Sequence, residues 1–138
     1  MYTTEPRSEP VWFAWIYRLG LLLLCSAYLQ GGINKALDFS AAVAEMQHFG
    51  LAPAAPLALA TIALEIVASL MVISGVWRWL AALGLASFTL CATFLANAFW
   101  TVGAAERFAV ENAFFEHLGL VGAFVLVAWV DLRKHYDL

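Results

Sequence analysis

From Trp79 to Trp100 the chain runs without a charged side chain. A helix rises ~1.5 Å per residue, so about 20 apolar residues cross a hydrocarbon core of ~30 Å. Three other segments meet that length: Trp12–Asn34, Pro56–Val76 and Phe108–Val130. Their apolar runs are continuous and lack the alternation of a membrane barrel, so each is read as a helix. Composition agrees. The chain is 64% hydrophobic and 12% charged, where soluble domains carry about 25% charged residues. The expected fold is therefore all-α: a four-transmembrane-helix bundle forming one integral membrane domain over residues 1–138. A short amphipathic helix is expected in the first outer loop.

The first run is read as a span and not as a cleaved leader. Glu5 and Glu9 stand where a leader carries positive charge, and no A-x-A-like site follows Leu21–Leu24. Leu22-Leu23-Leu24-Cys25 lacks the small residue expected before a lipoprotein cysteine. With four spans, the N-tail, the second loop and the C-tail share one side. That side holds Arg7, Arg18, Arg78, Arg133 and Lys134, while Lys35 and Arg107 fall on the other. The bias predicts cytoplasmic termini in a bacterial inner membrane. Arg18 lies about two turns inside the first run, within snorkelling reach of the headgroups. All six tryptophans fall at segment ends, as interfacial anchors do.

Arg78 almost alone joins the second and third spans, so these are adjacent and antiparallel. The long connection is Gly31–Ala55. Within it, Ser40 is expected to cap a helix over 41–49, with Gly50 as its stop and Pro53 beyond. Val43, Met46 and Phe49 give that helix an apolar face suited to the membrane surface or the bundle mouth.

Polar side chains in lipid are costly, so their placement is informative. Spacings of four recur in Ser26/Gln30/Asn34, Thr61/Glu65/Ser69, Thr89/Thr93/Asn97/Thr101 and Asn112/Glu116, with His117 beside the last. Each set forms one stripe of a helix. Stripes that avoid lipid face one another, which predicts a polar pocket in the outer half lined by Gln30, Asn34, Lys35, Glu65, Asn97, Glu116 and His117. Below it the spans are Leu, Val, Ile and Ala, an apolar plug that argues against a channel or transporter. The competing reading of Ser, Thr and Asn is interhelical glue, at ~0.6 kcal/mol per bond. Glu65 stands apart, because an unpaired carboxylate at mid-depth costs ~2.5 kcal/mol or more. Lys35 and His117 are its candidate partners.

Much chemistry is missing from the sequence. Cys25 and Cys91 form no C-x-x-C and are read as two buried packing thiols. His117 is the only histidine in a span, and Met71 lies at the wrong depth to join it on haem. Three scattered histidines make no metal site. Phosphate loops and hydrolase elbows are absent, and the basic residues form no stripe for nucleic acid. The small-residue spacings Gly119-x-x-x-Ala123 and Ala82-x-x-x-Ala86 serve tight packing.

The order of these residues resembles DoxX-like membrane proteins. The resemblance rests on Arg18-Leu-Gly20, the run Gly31-Gly32-Ile33-Asn34-Lys35 with Asp38-Phe39, Met46 with Phe49-Gly50-Leu51 and Pro53, then Glu65 and Gly75. It continues through Glu116-His117, Gly119 and Gly122 to Ala128, so that it spans about residues 15–130. It implies a four-helix bundle in the inner membrane that works with other membrane or redox subunits. One related branch is the membrane subunit of a thiosulfate:quinone oxidoreductase, and other members join assemblies with oxidative-stress enzymes. A quinone or similar lipophilic molecule is the ligand this implies for the polar pocket, and no other cofactor is expected. The chain departs from a redox enzyme in lacking paired cysteines and haem ligands. It also reads Glu116-His117 where a polar-to-basic position is often seen. Enzymatic activity by the chain alone, and a homo-oligomer, stay open. The second reading is a non-catalytic accessory subunit packed against a larger membrane complex.

Overall fold

The computed structural model describes residues 8–136, and Glu5 and Arg7 lie outside them. Helix α1 spans Val11–Leu37, α2 Phe39–His48, α3 Ala54–Ser74, α4 Arg78–Ala96 and α5 Ala104–Tyr136. A 3₁₀ turn, Phe99–Thr101, follows α4. The described residues contain no strand. Helices α1, α3, α5 and the α4 segment are each long and apolar enough to cross a membrane.

The inward positions follow one rule. Leu21, Cys25, Tyr28 and Gly32 are buried on α1; Ala58, Ile62, Glu65, Ser69 and Val72 on α3. Ala82, Ala86, Thr89 and Thr93 do the same on α4, and Phe124, Ala128 and Asp131 on α5. Steps of three and four alternate, the seam spacing of left-handed helix bundles. Neighbours in the bundle run α1–α3–α4–α5, with α4 and α5 most closely paired. Closure between α5 and α1 comes through large side chains: the Tyr28 and Phe124 rings meet edge-on at 5.3 Å. Leu21, Val72, Leu85 and Phe124 fill the middle.

That seam corrects the stripe assignment on two helices. Ser26, Gln30 and Asn34 are exposed on α1, as are Asn112 and Glu116 on α5. A step of four places residues on one face without saying which face turns inward. On α1 the inner face is the one with Gly32 and Tyr28, on the far side from Gln30.

Local starts and stops also shift. Asp38, not Ser40, caps α2: its carboxylate accepts the Ala41 N–H at 3.1 Å, and the Ser40 hydroxyl donates to it at 2.9 Å. Gly50 ends α2 with φ +68°, and Gly75 ends α3 with φ +91°. Ala42 and Met46 bury α2 against Ala58 and Leu57 of α3, so α2 covers the flank of α3 at one end of the bundle. Helix α5 runs past Val130 because Asp131, although charged, is buried and bonded. Cys25 is fully buried, but Cys91 is exposed, against the expectation of two buried thiols.

Midway along α3 the residues Leu64–Ala68 form a π-helical turn. The widened turn fits an extra residue into the repeat, which lets both Ala68 and Ser69 reach the core.

Candidate functional site

Glu65 sits in the π turn of α3, with its side chain 8% exposed. Lys35, half a turn before the end of α1, brings its Nζ to 3.0 Å from both carboxylate oxygens. The two helices come this close because of a glycine. A Cβ on Gly32 would lie 2.7 Å from Ile66 Cγ1 and 3.3 Å from the Glu65 Cβ. Gly31 borders the ion pair itself, and a Cβ there would meet Lys35 Nζ at 3.5 Å in ordinary contact. The site is thus built by a close backbone approach on one helix and a π turn on the next.

A cavity of about 240 Å³ opens at this level, at the α2 end of the bundle. Lys35, Glu65, Asn97 and His117 line it, together with Tyr28, Thr89 and Glu45. Gln30, Asn34 and Glu116 do not line it; all three are exposed, Asn34 in the last turn of α1 and Glu116 well inside α5. Tyr28 and Thr89 share a hydrogen bond through their hydroxyls, and Thr89 also donates to the Leu85 carbonyl at 2.7 Å. Asn97 donates to Thr93 Oγ1 at 3.2 Å. His117 Nδ1 lies 2.6 Å from the Ala113 carbonyl, which can only accept, so Nδ1 carries a proton and donates to it. The 3.5 Å approach of the Asn97 amide nitrogen to Nδ1 is then a contact between two donors.

Two lining residues, Tyr28 and Glu45, carry no signal of the site in the sequence. Tyr28 reads as one more aromatic in an apolar run, and only the three–four seam through Cys25 and Gly32 marks it as inward. Glu45 reads as the solvent side of an amphipathic helix. A second cavity, also about 240 Å³, abuts the first and shares Glu45, Phe88, Ala92 and Ala96 with it. Met46, Phe49, Leu57 and Leu95 make it apolar.

A family model, DoxX, matches residues 14–98. The chain belongs to the DoxX family. The DoxX match takes in α1 through α4, hence Lys35, Glu65 and Asn97, and it stops before α5 and His117. The expected resemblance in the fourth span lies beyond the matched DoxX residues. No curated protein and no solved structure matches the chain.

Chemically the arrangement offers an ammonium, a carboxylate, a phenol, an amide and an imidazole around one small space. It can donate to and accept from a polar head while apolar walls lie alongside.

Proposed function

We propose that this DoxX-family chain is a subunit of a redox-linked assembly in a bacterial inner membrane, with both termini cytoplasmic. Its cavity binds a quinone or similar small lipophilic molecule from the outer half of the bilayer. Lys35, Asn97 and His117 serve as polar contacts for the head, and Glu65 both holds the Lys35 ammonium in place for it and relays protons. The observation that carries this reading is the Lys35–Glu65 pair on the wall of a cavity that also holds His117 and Tyr28. A pair kept only for packing has no need of an adjoining space with further donors. The apolar cavity beside it supports a ligand with both a polar and an apolar part. The cation distribution between loops supports the orientation.

The test is purification of the full chain in mild detergent, with mass spectrometry of the small molecules and proteins that accompany it. Bound quinone in the native chain, lost from folded Glu65→Gln and reduced in His117→Ala, is the expected result. Quinone retained at native stoichiometry in Glu65→Gln would sink the assignment.

The accessory-subunit reading has one observation in its favour. Tyr28, Thr89 and Thr93 all find partners within the bundle, as glue residues do. A stoichiometric partner protein, with no quinone in any preparation, selects that reading.

A further inference from the structure

The opposite end of the bundle carries a second set of charges that the proposed function does not use. There a cleft of about 500 Å³ lies between the start of α1, the α3–α4 joint and the end of α5. Its volume falls in the range of about 300–1,000 Å³ typical of small-molecule sites. Arg18, Arg78 and Lys134 line it, against the single acid Glu9. Tyr17 stands among them. Its hydroxyl oxygen is buried without a hydrogen-bond partner. The Lys134 ammonium lies 5.0 Å from its ring centroid and the Arg78 guanidinium 5.5 Å.

Arg78 is held in place by the backbone. Its Nε donates to the Val72 carbonyl at 2.7 Å, and Nη1 stays 3.9 Å from Asp131 Oδ1. Asp131 gives its other oxygen to the Trp79 N–H at 3.0 Å, so the carboxylate is shared and does not close on the guanidinium. The remaining walls are apolar: Val11, Phe13, Ala14 and Val130. Trp12, Trp15, Trp77 and Trp129 are exposed around this end, at the depth where indoles meet headgroups.

We infer that this cleft binds a phosphate-bearing anion, and that the anion is the headgroup of an acidic phospholipid. Cations at headgroup depth around a cleft recognise acidic lipids between transmembrane helices. Arg78 and Lys134 face the phosphate from two helices, Arg18 meets it from a third, and the Tyr17 hydroxyl supplies an uncharged donor. The apolar walls take the upper part of an acyl chain, which a free phosphate does not need. This site is independent of the ligand proposed for the other end.

The test is native mass spectrometry of the full chain in detergent, titrated with phosphatidylglycerol and, separately, phosphatidylcholine of the same acyl chains. The first bound phosphatidylglycerol is expected to show a clear preference over phosphatidylcholine. Each basic side chain near a headgroup contributes about fivefold, so Arg18→Gln/Lys134→Gln is expected to cut the preference about 30-fold. Tyr17→Phe is expected to weaken phosphatidylglycerol binding itself about threefold to tenfold, the range of one lost hydrogen bond, with the preference little changed because both lipids carry the phosphate. Arg133→Gln, a neighbouring cation that does not line the cleft, is expected to change the preference much less than the double variant does. An Arg133→Gln loss equal to that of Lys134→Gln alone would mean unspecific surface charge and overturn the site. Displacement of the lipid by millimolar inorganic phosphate would overturn the lipid assignment in favour of a free anion. An undiminished preference in the double variant overturns both.

Discussion

Replacing Lys35 with Met strands the Glu65 carboxylate, and the consequence is asymmetric. At 3.0 Å the pair attracts by about 5–6 kcal/mol at an effective dielectric near 20. Desolvation of both groups offsets much of that in the intact protein. Once one partner is gone, the other keeps its desolvation penalty alone. Glu65 is 8% exposed and fixed in a π turn between two helices, so only the small adjoining cavity can offer it water, far less than a headgroup region does. Lys35→Met is therefore expected to destabilise by about 3–5 kcal/mol. Glu65→Gln strands the ammonium instead. Lys35 is 20% exposed near the end of α1, and its stem can carry the charge to the headgroups. The expected loss is about 1 kcal/mol, the size of an ordinary hydrogen bond. The double variant Lys35→Met/Glu65→Gln carries no stranded charge and is expected within about 2 kcal/mol of the native chain. For a double-variant loss of up to about 2 kcal/mol, the coupling energy of the cycle is then about 2–6 kcal/mol. The assay is unfolding in mixed micelles of increasing SDS fraction, followed by helical circular dichroism. Equal losses in the two single variants would refute the burial argument, as would a double variant as unstable as Lys35→Met.

Two adjacent glycines should answer differently to the same substitution. Gly32→Ala forces Ile66 or the helix to move, at about 1–3 kcal/mol, while Gly31→Ala meets only ordinary contacts and is expected near neutral in the same unfolding assay. The cysteines divide likewise. In detergent at neutral pH, N-ethylmaleimide is expected to label Cys91 alone, with Cys25 reacting only after unfolding in SDS.

How much of this was legible in the sequence differs by level. Apolar length and charge placement are enough for the four spans, because a bilayer constrains segments that strongly. Gly50 announced itself as a stop, whereas Gly75, the actual end of α3 at positive φ, lay inside the span read as reaching Val76. Glu65 was legible as a charge in need of a partner, with Lys35 and His117 as the candidates, and the structure pairs it with Lys35. The facing of each helix was harder. Gln30, Asn34 and Glu116 looked inward by cost alone, yet all three are exposed: Asn34 is close enough to the end of α1 to reach headgroups, and a spacing of four does not say which face of a helix turns inward. The inner seam was carried by Gly32, Cys25 and Tyr28, which a search for polar residues passes over. The π turn left no trace in composition, since Leu64–Ala68 reads as ordinary helix. Asp131 looked like the point where α5 leaves the membrane, and its role depends on Arg78 and Trp79, distant in sequence.

The joint between α3 and α4 has a consequence for biogenesis. Ser74 and Arg78 are separated by Gly75, Val76 and Trp77 alone. So short a link gives neither helix room to cross the membrane and wait for the other, so the two enter as a single hairpin. Arg78 can bind the Val72 carbonyl as soon as that hairpin forms. The first turn of α4, however, takes its cap from Asp131 near the end of α5, the last of the described helices to leave the ribosome. Synthesis runs from the N-terminus at about 5–20 residues per second. The hairpin therefore spends seconds in the bilayer with an open N–H at Trp79, and the arrival of α5 both completes the bundle and closes it.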